Sequence, residues 1–122
     1  MKMFKCAHCG KMIVVLDKEN IPTICCGEPM EEIVPNTEEA AHEKHLPIYK
    51  VEGNVVSVEV GSVLHPMLEN HYIGFIMLET NMGRQRKVLK PGDEPKAKFA
   101  LLPGEKVVAV YEYCNLHGLW KA

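Results

Sequence analysis

Four cysteines crowd the start of the chain, as Cys6-x-x-Cys9 and the adjacent pair Cys25-Cys26, and no other feature restricts its folding so tightly. A segment this short cannot bury enough apolar surface to fold alone. Four thiolates around one tetrahedral Zn²⁺ or Fe ion would supply the missing stability. Neighbouring side chains on an extended backbone point to opposite sides. Cys25 and Cys26 can therefore reach one ion only from a bent backbone, and a distorted tetrahedron is expected. His8, inside the first knuckle, is expected to face solvent because four thiols complete the shell. The cysteine count is odd, and Met1-Lys2-Met3-Phe4-Lys5 leads into Cys6 without a signal-like apolar stretch. Reduced thiols in a cytoplasmic protein, used for metal rather than for disulfides, are the expectation.

The pattern Cys-x-x-Cys…Cys-Cys resembles desulforedoxin, a small rubredoxin-like iron module. A structural zinc ribbon with no redox role uses the same four residues, and this segment alone leaves both readings open. Glu31-Glu32-Ile33-Val34-Pro35-Asn36 reads as a strand end followed by a junction. The expected domains are therefore residues 1–36, holding the four cysteines, and 37–122.

Beyond the junction the chain is rich in strands. Asn36 or Thr37 is placed to cap a short helical turn that Pro47 ends. Ile48–Val51 and Val55–Val60 flank the hairpin signal Glu52-Gly53-Asn54, with Val56, Val58 and Val60 on the core face. Tyr72–Leu78 is apolar on both faces, as a central strand would be. Arg84–Leu89, Lys96–Leu101 and Val107–Tyr113 follow, separated by Pro/Gly turns. Turns recur about every ten residues, the spacing of an antiparallel sandwich. The expected class is all-β, and no amphipathic helix of ordinary length is found. Net charge is −2 with 25% charged residues, which gives no overall field for nucleic acid. The run Arg84, Arg86, Lys87, Lys90 lacks interleaved aromatics and reads as a charged edge strand. No apolar run is long enough to span a bilayer.

A second set of donors lies in this larger part. Cys114 and His117 sit three residues apart, directly after an apolar strand and before Gly118, so one metal ion is within reach of both from a tight turn. His65 and His71 flank a segment that Pro66 keeps from being a regular helix, and His45 closes the cluster Glu43-Lys44-His45. Any one of these histidines alone reads as a loop residue, and His42 as a surface one. Together His45, His65, His71, Cys114 and His117 make a richer set than a structural loop needs, and they are expected to meet at one iron.

The full pattern resembles the desulfoferrodoxins, the two-iron form of superoxide reductase. The resemblance rests on cysteines 6, 9, 25 and 26, on Glu43-Lys44-His45, on His65-Pro66-Met67 through His71-Tyr72-Ile73, and on Cys114-Asn115-x-His117-Gly118. It covers nearly the whole chain, with no ligand missing. It implies a desulforedoxin-like domain followed by an immunoglobulin-like sandwich, and two irons per chain, with zinc as an alternative at the four-cysteine site. It implies four imidazoles in one plane around the catalytic iron, with Cys114 on the axis. It implies a sixth position that is open in the ferrous state and that Glu43 can occupy in the ferric state, with Lys44 near the open face. It further implies superoxide as substrate, hydrogen peroxide as product, a rubredoxin-like electron donor and a homodimer. Two other classes fit parts of the pattern: an electron carrier, which needs no vacant position, and a zinc-stabilised binding module, which needs no iron.

Overall fold

In a computed structural model, which describes all 122 residues, the chain divides into two compact units, Met1–Val34 and Pro35–Ala122. In the first unit β1 (Met3–Lys5) pairs antiparallel with β2 (Met12–Val14) on one side. On its other side it pairs with β5 (Glu31–Ile33). Two-residue strands β3 (Ile24–Cys25) and β4 (Glu28–Pro29) form a separate hairpin. The buried apolar side chains here are Met3, Cys6 and Met30. Three such residues cannot offset the ordering entropy of the segment, so the cysteines must contribute through a bound ion.

The second unit opens with a single helical turn, α1 (His42–His45). Seven strands follow: β6 (Pro47–Glu52), β7 (Val55–Val60), β8 (Ile73–Thr80), β9 (Gly83–Val88), β10 (Lys96–Ala100), β11 (Val107–Cys114) and β12 (Gly118–Lys121). They form two sheets, ordered β10-β7-β6 and β12-β11-β8-β9, with every pairing antiparallel. Two antiparallel sheets of three and four strands are the make-up of an immunoglobulin-like sandwich, and the all-β expectation holds. Val56, Val58 and Val60 of β7 are buried as the alternation requires, and they pack with Ile73, Ile76 and Leu78 of β8 and with Val110 and Cys114 of β11. β9 lies at a sheet edge and is exposed along nearly its whole length, as its charges suggest.

Two local expectations change. The helical turn starts at His42 rather than near Thr37, and its N-cap, Ala41, offers no side-chain cap. Asn36 instead adopts φ +63 and uses its side chain elsewhere. Its amide donates to the Lys121 carbonyl at 3.1 Å and accepts from the Lys121 N–H at 2.9 Å. That side chain therefore ties the start of this unit to β12, the strand that sequence reading passes over.

Candidate metal centres

The Sγ atoms of Cys6, Cys9, Cys25 and Cys26 lie within 4.8 Å of one another. Cys9 Sγ and Cys25 Sγ are 3.6 Å apart. Sulfurs each about 2.3 Å from one ion at a tetrahedral angle are about 3.8 Å apart, so the donor set fits an ion. The bent backbone expected of adjacent cysteines is present: Cys26 takes the left-handed φ of +53, followed by Gly27 at +80. The Cys9 N–H, donated to Cys6 Sγ at 3.5 Å, holds the Cys6 thiol down to about 6. Hydrogen bonding with Cys9, then with Cys6, pushes Cys25 up to about 12. The four sulfurs thus surround a space that a cation would fill. His8 is exposed, as expected, and its Nε2 lies 3.0 Å from a Glu28 carboxylate oxygen.

The second centre forms where four segments meet. Donor atoms of His45, His65, His71, Cys114 and His117 lie within 4.8 Å of one another. His45 ends α1, and its Nδ1 is 2.7 Å from the Ala41 carbonyl oxygen. His65 Nδ1 lies 2.7 Å from the Pro66 carbonyl oxygen. Each carbonyl fixes the proton on Nδ1 and leaves Nε2 with its lone pair facing inward, as second-shell bonds do at metal sites. His117 turns its other nitrogen inward: its Nδ1 is 3.1 Å from His45 Nε2 and 3.8 Å from Cys114 Sγ. Nitrogens about 2.1 Å from one ion at a right angle are about 3.0 Å apart. The buried Nε2 atoms of His65 and His71 have no hydrogen-bond partner. Orphaned buried acceptors are rare in proteins, and a metal ion accounts for both.

Local structure explains the convergence. A register shift between Tyr113 and Cys114 marks an irregularity in β11, of the kind that re-aims a side chain at a sheet end. Gly118 takes φ +79, so the chain can turn back at once into β12. The Trp120 indole donates to the His117 carbonyl at 3.0 Å, and its ring lies 5.2 Å from those of His42 and His45. Asn115 joins the Cys114 turn to the His71 loop. Its Oδ1 accepts from the Tyr72 N–H at 2.9 Å and its Nδ2 donates to the Asn70 carbonyl at 3.1 Å. The α1 segment rests on Gly61 to Val63: the Val63 N–H donates to the Glu43 carbonyl at 3.0 Å and the Ser62 hydroxyl to the same oxygen at 3.3 Å. A Cβ at Gly61 would stand 2.6 Å from the Glu43 carbonyl oxygen and 2.9 Å from that of Leu46.

Burial lowers His45, His71 and His65, the last to about 4, so these imidazoles stay neutral and able to ligate near pH 7. The Lys44 ammonium adds to the lowering of His45 and His71, which sets its charge within range of the cluster. Glu43 and Lys44 are both exposed beside buried His45. Burial also raises the Cys114 thiol, so a nearby cation is what would favour its thiolate.

Sequence reading missed Glu112. It is fully buried, both carboxylate oxygens lack partners, and burial pushes it up to about 9, so it is protonated at neutral pH. Its place as the one acid in the otherwise apolar run Val107–Cys114 was the available signal.

Comparison with known proteins follows the same division of the chain. Residues 37–122 match the family model described as desulfoferrodoxin, and residues 1–33 match that of the desulfoferrodoxin N-terminal domain. The desulfoferrodoxin of Nitratidesulfovibrio vulgaris is 46% identical over 121 residues, covering 99% of this chain and 94% of that one. The crystal structure of the superoxide reductase from Treponema pallidum superposes with a TM-score of 0.81 at 37% identity, over 93% of each chain. The one-iron superoxide reductase of Giardia intestinalis is 36% identical with a TM-score of 0.56, covering 66% of this chain and 95% of that one.

Proposed function

We infer that this chain, which belongs to the desulfoferrodoxin family, is a superoxide reductase. It reduces superoxide by one electron, and with two protons the product is hydrogen peroxide. The observation that carries the reading is the convergence of four imidazoles and one thiolate, two of the imidazoles with buried, unpartnered nitrogens. Ferrous iron, when bound there, supplies the electron and a position for a small anion.

The residues around that position have distinct tasks. His45, His65, His71 and His117 bind as neutral donors and Cys114 as a thiolate, so the formal charge at a ferrous site is +1 and an anion is attracted. Lys44 draws superoxide toward the site; local steering of this kind raises on-rates by about 10–10³-fold even on a chain of negative net charge. Its ammonium has donors but no acceptor, so it hydrogen-bonds an anionic oxygen or orders water for proton delivery. Glu43 would offer a carboxylate, the ligand type suited to ferric iron. Support for both roles comes from their exposure next to His45 and from the influence of Lys44 on His45 and His71.

Each turnover consumes an electron from outside, for which we propose a rubredoxin-like donor. Cys6, Cys9, Cys25 and Cys26 hold the other iron, with zinc the alternative occupant, and either relay electrons or serve structure alone. All five cysteines are free, and no helix is long and apolar enough to cross a membrane. We place the protein in the cytoplasm, detoxifying superoxide under oxidative stress. A homodimer is proposed from the resemblance. Exposed Ile48, Tyr49 and Val51 on edge strand β6 support association of that kind.

Rapid mixing of the ferrous protein with superoxide tests the function. Oxidation of the iron with appearance of hydrogen peroxide is expected; ferrous protein left unchanged by superoxide would refute it.

A further inference from the structure

The sandwich has one strongly basic flank that the reaction site does not use. Of the chain's 14 basic and 16 acidic residues, six basic but only two acidic ones fall between Gly83 and Lys98. This stretch contains β9 and β10, one edge strand from each of the two sheets. The Gln85 side chain bridges them, donating to the Ala100 carbonyl at 2.8 Å. A groove of about 580 Å³ opens along the flank, lined by Lys87, Leu89, Asp93, Glu94, Lys96 and Lys98. Three lysines outnumber the two acids in this lining, and Arg86, Lys87, Lys90 and Lys98 stand outside the ion pairs of the chain.

We propose that this flank is the docking surface for an acidic electron-donor protein. The proposal rests on the reductase reading, since a reductase must receive one electron per turnover from outside. The groove connects to the iron ligands through two backbone hydrogen bonds. Gly92, in the turn that borders it, donates to the Met67 carbonyl at 3.0 Å, and Met67 lies in the loop between His65 and His71. Leu89, which lines it, donates to the Gly74 carbonyl at 2.9 Å, just after that loop. A protein seated here is coupled by short paths to two ligands. The transfer moves one electron: the donor is oxidised by one, the ferric centre is reduced by one, and no bond to the donor forms. Nucleic acid fits less well, because the one aromatic ring on these strands, Phe99, is buried and offers no stacking platform. Superoxide itself needs no groove of this size.

Stopped-flow reduction of the ferric protein by a reduced rubredoxin of negative net charge tests the proposal. In the wild type the rate should fall as ionic strength rises, because salt screens exposed charges. Reversing two groove charges, Lys87→Glu with Lys98→Glu, should slow reduction about tenfold or more at low salt and leave a much smaller gap at high salt. Oxidation of the ferrous double variant by superoxide should keep its wild-type rate. Reduction at the wild-type rate, or no salt dependence in the wild type, overturns the proposal. So does a variant impaired toward superoxide alone, which would assign the flank to substrate steering. Ferrous protein inert to superoxide would refute the reductase reading, whereas the reduction measurement reads docking by itself.

Discussion

Replacing Gly61 with alanine adds one methyl group and places it against the backbone that presents Glu43, Lys44 and His45. The new Cβ would stand 2.6 Å from the Glu43 carbonyl oxygen, 2.9 Å from that of Leu46 and 3.2 Å from the Lys44 carbonyl carbon. Side-chain carbons essentially never approach backbone closer than 3.0 Å, so the segments must part by about 0.4 Å, and by about 0.8 Å to reach the ordinary contact of 3.4 Å. All three atoms belong to the main chain and cannot rotate away. The Val63 N–H bond to the same Glu43 oxygen resists the separation. Overpacking of this kind costs about 1–3 kcal/mol, or about 4–8 °C of melting temperature per kcal/mol for a unit of this size. Because a misplacement of about 1 Å can cost roughly 10²-fold in rate, a shift of this size should slow ferrous oxidation by superoxide about tenfold. The assays are thermal unfolding, iron content and pulse-generated superoxide. A Gly61→Ala protein with wild-type melting temperature and rate would refute the view that this loop holds the α1 segment in place.

Other expectations follow from the same geometry. Lys44→Ala should slow the encounter with superoxide while iron stays bound, with the loss largest at low salt; an unchanged low-salt rate would count against steering. Cys114→Ser should abolish the thiolate-to-iron absorption and impair turnover, and a surviving band would remove Cys114 from the ligand set. Glu105 accepts hydrogen bonds from the Thr80 hydroxyl at 2.5 Å and the Leu102 N–H at 2.9 Å, and the first of these is the main cause holding its carboxyl below the usual value of 4.5. A depressed carboxylate stabilises the fold above its unfolded value and loses that contribution as pH falls. Glu105→Gln should therefore lower the melting temperature at pH 7, with the difference from wild type shrinking below pH 4.5; a gap that persists in acid would contradict the assignment.

The donors were legible in the sequence because cysteine and histidine carry their chemistry wherever the fold puts them. Cys114 and His117 needed only a turn to meet. The alternation of Val56, Val58 and Val60 likewise marks a half-buried strand by sequence alone. What spacing could not give is how His45, His65 and His71 converge, since that depends on contacts between distant segments such as Glu43 with Val63 and Asn115 with Tyr72. β12 was passed over because four residues, two of them buried, show no clear period. Its existence depends on Gly118 reversing the chain and on Asn36 pairing with Lys121. Glu112 escaped notice because an acid inside an apolar strand usually faces water, and only the register of β11 against β8 and β12 puts it inside.

The central claim is that five side chains from four segments bind a single iron. Iron-edge X-ray absorption on protein whose four-cysteine site is filled with zinc reports that centre alone. The account predicts one sulfur and four nitrogen neighbours for the ferrous ion. A shell without sulfur, or one with several sulfurs, would contradict it.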